Sequence, residues 1–383
     1  MKNLNILFVD DEVKLLDGLK RMLYKKRNEW NMLFAKSGKE ALEIMERNVI
    51  DIIFSDMRMP GMNGAELLLK VMERYPKVIR FVLSGHSDEK MILNSIKIAH
   101  QFLAKPSSAE KIIDSINRAI YLREILPSSE IISIINQIEE LPSIPAIFLK
   151  LEQELNSPNV SLSKIAELVS EDVSISAKIL QIVNSAFFGL PRYTADLVGA
   201  VNMLGINIIR SIIITLKFQN FITDKEAKYF SVEKLWSHSQ RVAKYAQIIF
   251  EKIGNKSYSL REVYAAGLLH DIGKLILLKY PDYIEKILIN KTTNSAEEEY
   301  KWLNVSHAEI GAYLLGIWNL PLHLVDAIAF HHRKEKFTEI NLSAAVYLAN
   351  NIDIDASILV PESLSQFQPE IINIYNEIKN SSL

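Results

Sequence analysis

The first 126 residues alternate five short apolar runs with five amphipathic stretches, and this alternation restricts the fold more than any other feature of the sequence. The apolar runs predict strands at Asn5–Val9, Met32–Ala35, Asp51–Ser55, Val78–Ser84 and Gln101–Ala104. The amphipathic stretches predict helices at Val13–Lys26, Gly38–Arg47, Asn63–Arg74, Asp88–Ala99 and Ser108–Leu126. Because the strands are mostly continuous apolar runs, we expect a doubly wound parallel α/β sheet covered by helices on both faces.

The pattern changes at Pro127, after which helical stretches continue to the end and no strand pattern recurs. A chain of 383 residues is long enough for two or three domains. We therefore predict an α/β domain over residues 1–124, a short linker and helix start over 125–133, and an all-α domain over 134–383.

Composition excludes several classes of protein. With 49% hydrophobic and 23% charged residues, the chain is typical of a globular protein and not of a disordered one. The most apolar stretch, Leu197–Phe218, is interrupted by Arg210 and Lys217, so we expect no membrane span. The absence of cysteine excludes disulfides, thiolate catalysis and cysteine-based zinc sites. Acidic residues follow the first strand too early for a secretory signal, and we expect a cytoplasmic protein.

Basic and acidic residues are unevenly distributed, although the formal net charge is only −2. Residues 1–126 carry 21 Lys+Arg and 17 Asp+Glu, whereas the remainder carries 23 and 29. A DNA-binding domain usually presents a basic patch, so the acidic second part argues against DNA as a partner. Leu162–Val169 and Asp172–Val183 do have helix-turn-helix spacing. We interpret them as a pair of core helices, because the second offers mainly apolar side chains to a base edge, besides Lys178 and Gln181.

Polar side chains stand where four of the predicted strands end. They are Asp10 and Asp11 after the first strand, Asp56 after the third, Ser84 on the fourth and Lys105 after the fifth. Ligands of doubly wound sheets bind beyond the carboxyl ends of the strands, so we expect these groups to converge. Converging carboxylates suit Mg²⁺, and one carboxylate can act as the nucleophile that forms an aspartyl-phosphate.

These motifs resemble the receiver domain of two-component response regulators, which has a flavodoxin-like fold. The resemblance covers residues 1 to about 124 and rests on Val9–Glu12, Asp56–Gly64, Ser84–His86 and Phe102–Pro106. It implies that Asp56 is the phosphoacceptor and that a cognate histidine kinase is the phosphodonor. It implies a magnesium site formed by Asp10, Asp11, Asp56 and the backbone carbonyl of Arg58. It also implies that the groups that contact the phosphoryl group or switch with it are Ser84, Phe102 and Lys105.

Histidines are concentrated in the second part of the chain. Six of the eight follow residue 230, at His238, His270, His307, His323, His331 and His332. The pair His270-Asp271 ends an apolar stretch, where burial is costly unless the two groups are paired or bind a metal. A single helical histidine is more often a hydrogen-bonded core or surface residue than a ligand, and we adopt that interpretation for His323.

Two spacings among these histidines suggest how they are arranged. Gly311 stands one helical turn after His307, so another helix or a ligand can approach that histidine closely. His331 and His332 would diverge by about 100° on a helix. We therefore expect these two side chains to reach different metal ions, or one of them to face water.

The histidine series is similar to the ligand series of the HD superfamily of metal phosphohydrolases. The resemblance implies one or two transition-metal ions, with candidate ligands His238, His270, Asp271, His307, His331 and His332, and Lys274 as a contact for substrate phosphate. In that family a metal-bound water attacks a phosphoester. The chain departs from the family in two places. Asn350 and Asn351 stand near the position of the family's final aspartate, and the Gly-Tyr-Pro element of one subgroup is absent.

The segment before the histidines resembles the HDOD (HD-related output) domain. The matching residues are Leu141–Pro145, Asp172 with Ile175–Lys178, Ile179–Gly189 and Ala200–Gly205. The resemblance covers roughly residues 134–335 and leaves 336–383 as a helical extension. Many HDOD domains lack the HD ligands and act as regulatory binding modules, whereas this chain keeps most of them.

Three functions are consistent with these resemblances. We expect a response regulator in which phosphorylation of Asp56 controls the HDOD domain as a signalling and protein-interaction module, with an unidentified protein partner and with homodimerisation as one form of interaction. The alternative is a phosphorylation-gated, metal-dependent phosphohydrolase that uses the histidine cluster. A transcription factor is the third and weakest hypothesis, and we expect no membrane association.

Overall fold

A computed structural model of the chain describes residues 4–84, 98–105, 107–126, 128–136, 145–155, 157, 159–184, 193–215, 228–280, 283–284, 296–354 and 360–380. The predicted helix Asp88–Ala99 lies largely outside the described residues. So do residues 85–86, 106, 141–144 and 185–189 of the receiver-like and HDOD-like motifs. Contacts between Cα atoms divide the chain into two compact units. The first unit consists of Met1–Glu139, Ile182–Pro191 and Ile317–Asn319. The second unit consists of Glu140–Gln181, Arg192–Gly316 and Leu320–Leu383.

The first unit contains a five-stranded parallel sheet. Its strands are β1 (Leu4–Val9), β2 (Trp30–Ala35), β3 (Ile52–Asp56), β4 (Ile79–Ser84) and β5 (Gln101–Ala104). Their order is β2-β1-β3-β4-β5, which is the flavodoxin-like order. The described helices of this unit are α1 (Val13–Met22), α2 (Gly38–Arg47), α3 (Gly64–Arg74), α4 (Ala109–Ile125) and α5 (Ser129–Asn136). The doubly wound α/β fold predicted for this part of the chain is confirmed.

The sheet is held by side chains that are buried on both of its faces. Phe8 and Phe54 stack with ring centroids 5.0 Å apart, and Phe54 meets Phe81 edge-on at 4.7 Å. The register pairs Val9 with Ser55. It also pairs Asp56 with Leu83, so the strands end at the same edge. Because adjacent strands end at the same edge of the sheet, the polar residues at the strand ends lie close together.

Local capping explains where the helices of this unit begin. The sequence places Asn63 inside a helix, but its side chain instead accepts a hydrogen bond from the Glu66 N–H while the Glu66 carboxylate accepts one from the Asn63 N–H. Ser108 caps α4 in the same manner through the Lys111 N–H. The predicted helix Val13–Lys26 is shorter, ending at Met22 before a 3₁₀ turn.

From residue 145 onwards the described chain is helical, as predicted. The helices are α6 (Pro145–Leu155), α7 (Leu162–Ser170), α8 (Val173–Val183), α9 (Leu197–Thr215), α10 (Val232–Ile253), α11 (Leu260–Leu269), α12 (Gly273–Leu277), α13 (Ala296–Leu303), α14 (His307–Ile317), α15 (Leu322–Phe330), α16 (Leu342–Ile354) and α17 (Gln368–Asn380). Two 3₁₀ helices, Lys334–Lys336 and Glu362–Phe367, lie between them. Within the described ranges, no helix is long and apolar enough to cross a membrane.

Helix packing in this part supports the interpretation of α7 and α8 as core helices. Ile165 on α7 and Ile175 on α8 are fully buried. Lys178 and Gln181, the two long polar side chains of α8, are buried as well. A helix whose polar side chains face the protein interior cannot present them to base edges in a DNA groove.

Candidate functional sites

The first candidate site forms where β1, β3 and β5 end. Asp10 directly follows β1, Asp56 is the last residue of β3, and Lys105 directly follows β5. The Lys105 Nζ lies 2.6 Å from Asp10 Oδ2 and 2.6 Å from Asp56 Oδ1. Asp10 is 1% exposed and Asp56 is 8% exposed, so the two carboxylates are held against the ammonium group with little competing water.

Burial and charge act in opposite directions on this site. Burial raises the pKa of Asp56, and the hydrogen bond and charge of Lys105 only partly offset that effect. For Lys105, burial disfavours the ammonium form, but the bonds to Asp10 and Asp56 outweigh it, and the pKa lies above its ordinary value. Lys105 is therefore a fixed positive charge at neutral pH.

The same edge offers an oxygen-rich position for a cation. Asp10, Asp11 and Asp56 each supply a carboxylate oxygen, and these oxygens lie within 4.8 Å of one another. The backbone N–H of Arg58 donates to Asp56 Oδ2 at 3.0 Å, which orients the carboxylate. The donor set fits Mg²⁺, a hard ion that takes a few carboxylates and keeps waters. The roles of Asp11 and the Arg58 carbonyl stay predictions.

The two predicted switch residues lie on β4, which is next to the strand of Asp56, and on β5, which is one strand further along the sheet. Ser84 is the last residue of β4 and pairs with Ala104 on β5. Phe102 pairs with Val82 and is buried. The predicted roles of Ser84 and Phe102 in switching stay predictions.

The second candidate site collects the predicted histidine series in the all-α part. The side chains form two groups that share Asp271, and within each group the candidate ligand atoms lie within 4.8 Å of one another. One group is Asp271, His307, His331 and His332, and the other is His238, His270 and Asp271. Every predicted ligand is thus part of one continuous cluster.

Close helix packing brings the two halves of this cluster together. His270 and Asp271 follow α11, and His307 is the first residue of α14. A Cβ added at Gly273 would lie 2.0 Å from the His307 carbonyl oxygen, and one at Gly311 would lie 3.1 Å from the Gly273 nitrogen. The expectation that Gly311 admits a close neighbour beside His307 is confirmed, and that neighbour is the start of α12.

Two histidines are oriented by backbone carbonyls. His270 Nδ1 lies 2.7 Å from the Gly267 oxygen, and His331 Nδ1 lies 2.7 Å from the Ile328 oxygen. A carbonyl only accepts, so Nδ1 carries the proton in both rings and Nε2 keeps a lone pair when the ring is neutral. Burial lowers the pKa of His270 to about 3 and that of His331 well below its ordinary value, so both rings are neutral at pH 7.

Two further histidines are oriented by carboxylates. His238 Nδ1 lies 2.6 Å from Asp353 Oδ2, and His307 Nδ1 lies 2.6 Å from Glu299 Oε2. Burial opposes the charged form of His307, but Glu299 and Asp271 on either side of the ring raise its pKa overall. In all four rings, Nδ1 is hydrogen-bonded to a group that is not one of the candidate ligands. This is the usual arrangement of metal-binding histidines.

Some polar atoms at the centre of the cluster have no hydrogen-bond partner. Within the described part of the chain these buried atoms include His270 Nε2 and His331 Nε2. Leaving such atoms unpaired costs about 1–3 kcal/mol each. A bound cation would satisfy the two ring nitrogens, so the residues present fit a metal ion.

Asp271 and Lys274 form an ion pair at the edge of the cluster. Lys274 Nζ lies 2.5 Å from Asp271 Oδ2. Burial by itself would raise the pKa of Asp271. The neighbouring His270, Lys274 and His307 together have the larger effect and hold the pKa well below its ordinary value, so the carboxylate is ionised at neutral pH. The predicted contact of Lys274 with substrate phosphate stays a prediction, since its ammonium is bonded to Asp271 here.

The expectation that His331 and His332 diverge is wrong. Their ring centroids are 4.0 Å apart and both side chains join the same group around Asp271. α15 ends at Phe330, and His331 is the C-cap residue of this helix. His332 Nε2 lies 3.0 Å from His307 Nε2, so His332 does not turn away to solvent.

The sequence did not identify Asp353 as part of the cluster. Asn350 is buried on α16, and Asp353 lies one turn further along the same helix. Asp353 bonds His238 and also Arg241, whose Nε lies 2.5 Å from Asp353 Oδ1. Burial favours the neutral acid, but these two partners lower its pKa to about 2. An acid three residues after an amide in an apolar helix is the signal that could have found it.

His323 lies outside both groups. Its Nε2 is 3.1 Å from Glu262 Oε1, and its ring stacks on Tyr258 with centroids 4.7 Å apart. The structure therefore agrees with the interpretation of His323 as a residue with a structural role.

Comparison with known families decides the class of the protein. The model of the HDOD domain matches residues 141–334, just over half of the chain. The chain belongs to the HDOD domain family. The model of the response regulator receiver domain matches residues 6–117. The protein is thus a response regulator of two-component type, with an N-terminal receiver domain and a C-terminal HDOD domain, as the sequence predicted. A receiver domain implies a phosphodonor such as a histidine kinase.

Individual relatives agree with this assignment. An uncharacterized protein of Treponema pallidum is 30% identical over 210 residues, which are 52% of this chain and 39% of that protein. The hydrogenase transcriptional regulatory protein HoxA of Cupriavidus necator is 35% identical over 121 residues, 31% of this chain and 24% of HoxA. The chain thus spans less than half the length of either relative. The MmoQ response regulator of Methylococcus capsulatus shares the fold, with a TM-score of 0.51 at 20% identity over 62% of this chain and 98% of that one.

Proposed function

We propose that this chain is a cytoplasmic response regulator in which a histidine kinase phosphorylates Asp56 and thereby controls the HDOD domain as a signalling and protein-interaction module. The observation that carries the proposal is the bridge from Lys105 to Asp10 and Asp56, with 2.6 Å contacts to both acids. The bridge supports the proposal because it holds two carboxylates and a fixed positive charge together at one sheet edge.

The chemistry at Asp56 follows from this arrangement. An Asp56 oxygen attacks the phosphorus of the phosphohistidine donor, the new O–P bond forms, and the donor P–N bond breaks. Mg²⁺ held by Asp10 and Asp11 supplies neutralising charge when bound. The acyl phosphate adds negative charge beside Lys105, whose ammonium is then shared with the phosphoryl oxygens. Ser84 on β4 and Phe102 on β5 respond to that change.

The proposal predicts that the phosphorylated state differs in the HDOD domain and not only in the receiver. Hydrogen exchange of the full chain with Mg²⁺ and beryllofluoride, a phosphoryl analogue, should change the protection of peptides within residues 145–354. The Asp56→Asn variant under the same conditions should show no change. Identical exchange in the HDOD peptides of the wild type with and without the analogue would refute the proposed control. Light scattering on the same samples reports homodimerisation.

For the HDOD domain, we propose that the histidine cluster holds one or two transition-metal ions. The outward Nδ1 bonds of four histidines and the unpaired Nε2 atoms of His270 and His331 support this proposal. The candidate ligands are His238, His270, Asp271, His307, His331 and His332. A bound cation would supply positive charge to the buried Asp271 and fix the helices that carry the ligands.

One residue near the cluster favours a binding module over a phosphohydrolase. His270 and His331 are both 0% exposed, whereas His238 and His332 are partly exposed, so burial of the ligands does not separate the two functions. Asn350 at the position near the family's final aspartate is a neutral ligand at best. Hydrolysis of a phosphoester remains the second candidate function, and the same metal-loaded protein tests it.

Metal analysis by mass spectrometry checks the centre directly. The wild-type chain purified without chelator should retain a transition metal, and His270→Gln should lose it because a buried candidate ligand is removed. His323→Gln is the matched control, since the same change is made outside both groups, and it should keep the metal. Equal metal content in the two variants, or none in the wild type, would rule out the proposed centre.

A further inference from the structure

Glu299 is a buried acid on a helix that supplies none of the predicted ligands. It lies on α13 (Ala296–Leu303) and is 0% exposed, while its neighbours Glu297 and Glu298 are at least partly accessible. Burying an ionised carboxylate is costly unless it is paired and hydrogen-bonded. The buried carboxylate of Glu299 therefore needs a hydrogen-bonding partner that offsets the cost of its burial.

His307 is that partner, and Glu299 holds it twice. Glu299 Oε2 accepts from the His307 backbone N–H at 2.7 Å and from its Nδ1 at 2.6 Å. The first bond fixes the beginning of α14, and the second fixes the rotation of the ring. Both bonds use the same oxygen, so the backbone and the ring of His307 are positioned by one atom.

This anchoring decides which nitrogen of His307 faces the cluster. His307 Nε2 lies 3.0 Å from Asp271 Oδ1 and 3.0 Å from His332 Nε2. His270 and His331 take their Nδ1 partner from a carbonyl three residues earlier on their own helix. The partner of His307 Nδ1 comes instead from another helix. The orientation of the His307 ring therefore depends on the Glu299 side chain and on how the two helices pack.

Glu299 does not take part in either metal-binding group. Asp271 belongs to both groups, whereas Glu299 bonds the outer nitrogen of a ligand. The two acids flanking His307 therefore have separate tasks. A carboxylate behind a ligating histidine orients the ring and makes it a stronger donor to the metal.

We propose that Glu299 is a positioning residue of the HDOD metal centre, which directs His307 Nε2 at the cation and sets the affinity of the centre. The proposal rests on the metal centre proposed above. Loss of such an outer partner typically lowers metal affinity about 10–100-fold.

The test is a titration of the full chain with Co²⁺, with excess Mg²⁺ present to occupy the receiver site. The variants are Glu299→Gln, which keeps the shape of the side chain, and Glu298→Gln, which makes the same change on the same helix at a residue that belongs to neither metal-binding group. Affinity is read from the visible absorption of Co²⁺. We expect Glu299→Gln to bind about 10–100-fold more weakly and Glu298→Gln to match the wild type.

A second measurement separates positioning from a general loss of structure. Nitrogen-15 NMR of the histidine rings in the zinc-loaded wild type should show His307 protonated at Nδ1, and Glu299→Gln should alter that signal while the signals of His270 and His331 stay unchanged. Unaltered affinity and His307 signal in Glu299→Gln would overturn the inference, as would an equal loss in Glu298→Gln. A wild type that binds no Co²⁺ would instead refute the metal centre itself, and the positioning role with it.

Discussion

Replacing Asp56 by asparagine is expected to abolish phosphorylation of the chain. The nucleophile is a carboxylate oxygen, and an amide in its place keeps the shape but not the negative charge or the ability to form an acyl phosphate. The amide also leaves Lys105 with only Asp10 as an anionic partner at the 2.6 Å contact. Incubation with acetyl phosphate and Mg²⁺ should add one acid-stable, hydroxylamine-sensitive phosphoryl group to the wild type and none to Asp56→Asn, as read by intact mass.

Asp51→Asn is the matched control for this experiment. Asp51 precedes the same strand at its other end, where its Oδ1 accepts from Arg123 NH1 at 2.7 Å and its Oδ2 from the Asn5 N–H at 2.8 Å. The change removes the acid that precedes β3 and leaves the contacts of Lys105 with Asp10 and Asp56 in place. Phosphorylation of the Asp51→Asn variant should therefore continue. A phosphoryl group on Asp56→Asn, or its loss in a folded Asp51→Asn, would show that the acceptor lies elsewhere.

Replacing Gly273 by alanine is expected to cause the largest loss of stability among conservative changes in the HDOD domain. The new Cβ would lie 2.0 Å from the His307 carbonyl oxygen and 2.8 Å from the Gly311 nitrogen. Both are backbone atoms, so relief requires α12 and α14 to move apart. Overpacking of this kind costs about 1–3 kcal/mol, and occasionally more. The same movement separates Asp271 from His307, so metal retention should fall as well.

Two other glycines provide a graded comparison for Gly273→Ala. At Gly311 the nearest atoms to a new Cβ are the Ile272 Cγ2 at 3.0 Å and the Gly273 nitrogen at 3.1 Å, so a smaller loss is expected. At Gly18 on α1 nothing lies within 4 Å, and alanine should stabilise the chain by about 0.4–1 kcal/mol because it restricts the unfolded state. Urea unfolding of the three variants measures the order. Equal stability of Gly273→Ala and Gly18→Ala would contradict the close approach of the two helices.

The convergence of Asp10, Asp56 and Lys105 could be predicted from the sequence because it depends on strand order and strand ends. Parallel strands end at one edge, so Asp10, Asp56 and Lys105 had to converge once the strands were recognised. Boundaries shifted only slightly, with Asp56 inside β3 and with Asn63 as a cap in place of a helical residue. Such details depend on hydrogen bonds of one or two residues and not on the fold.

The HDOD cluster could be predicted only in part. The sequence indicated which residues cluster, because histidines and an acid beside apolar helices need a partner and because the series resembles that of the HD superfamily. How the rings face one another was not evident, and the structure corrected the expected divergence of His331 and His332. The sequence pattern describes an ideal helix, whereas these two residues follow the end of one.

The amino-acid sequence alone determined the two fold classes and the strand ends of the receiver, because these follow from local periodicity. The receiver and HDOD assignments and the histidine series came from resemblance to known families. Only the tertiary structure decided which acids support the cluster. Asp353 bonds His238 from 115 residues away, and Glu299 reaches His307 from another helix. The physical reason is that periodicity reports which face of a helix is buried, while the partner across that face is set by how whole helices pack, with Gly273 and Gly311 permitting the closest contact.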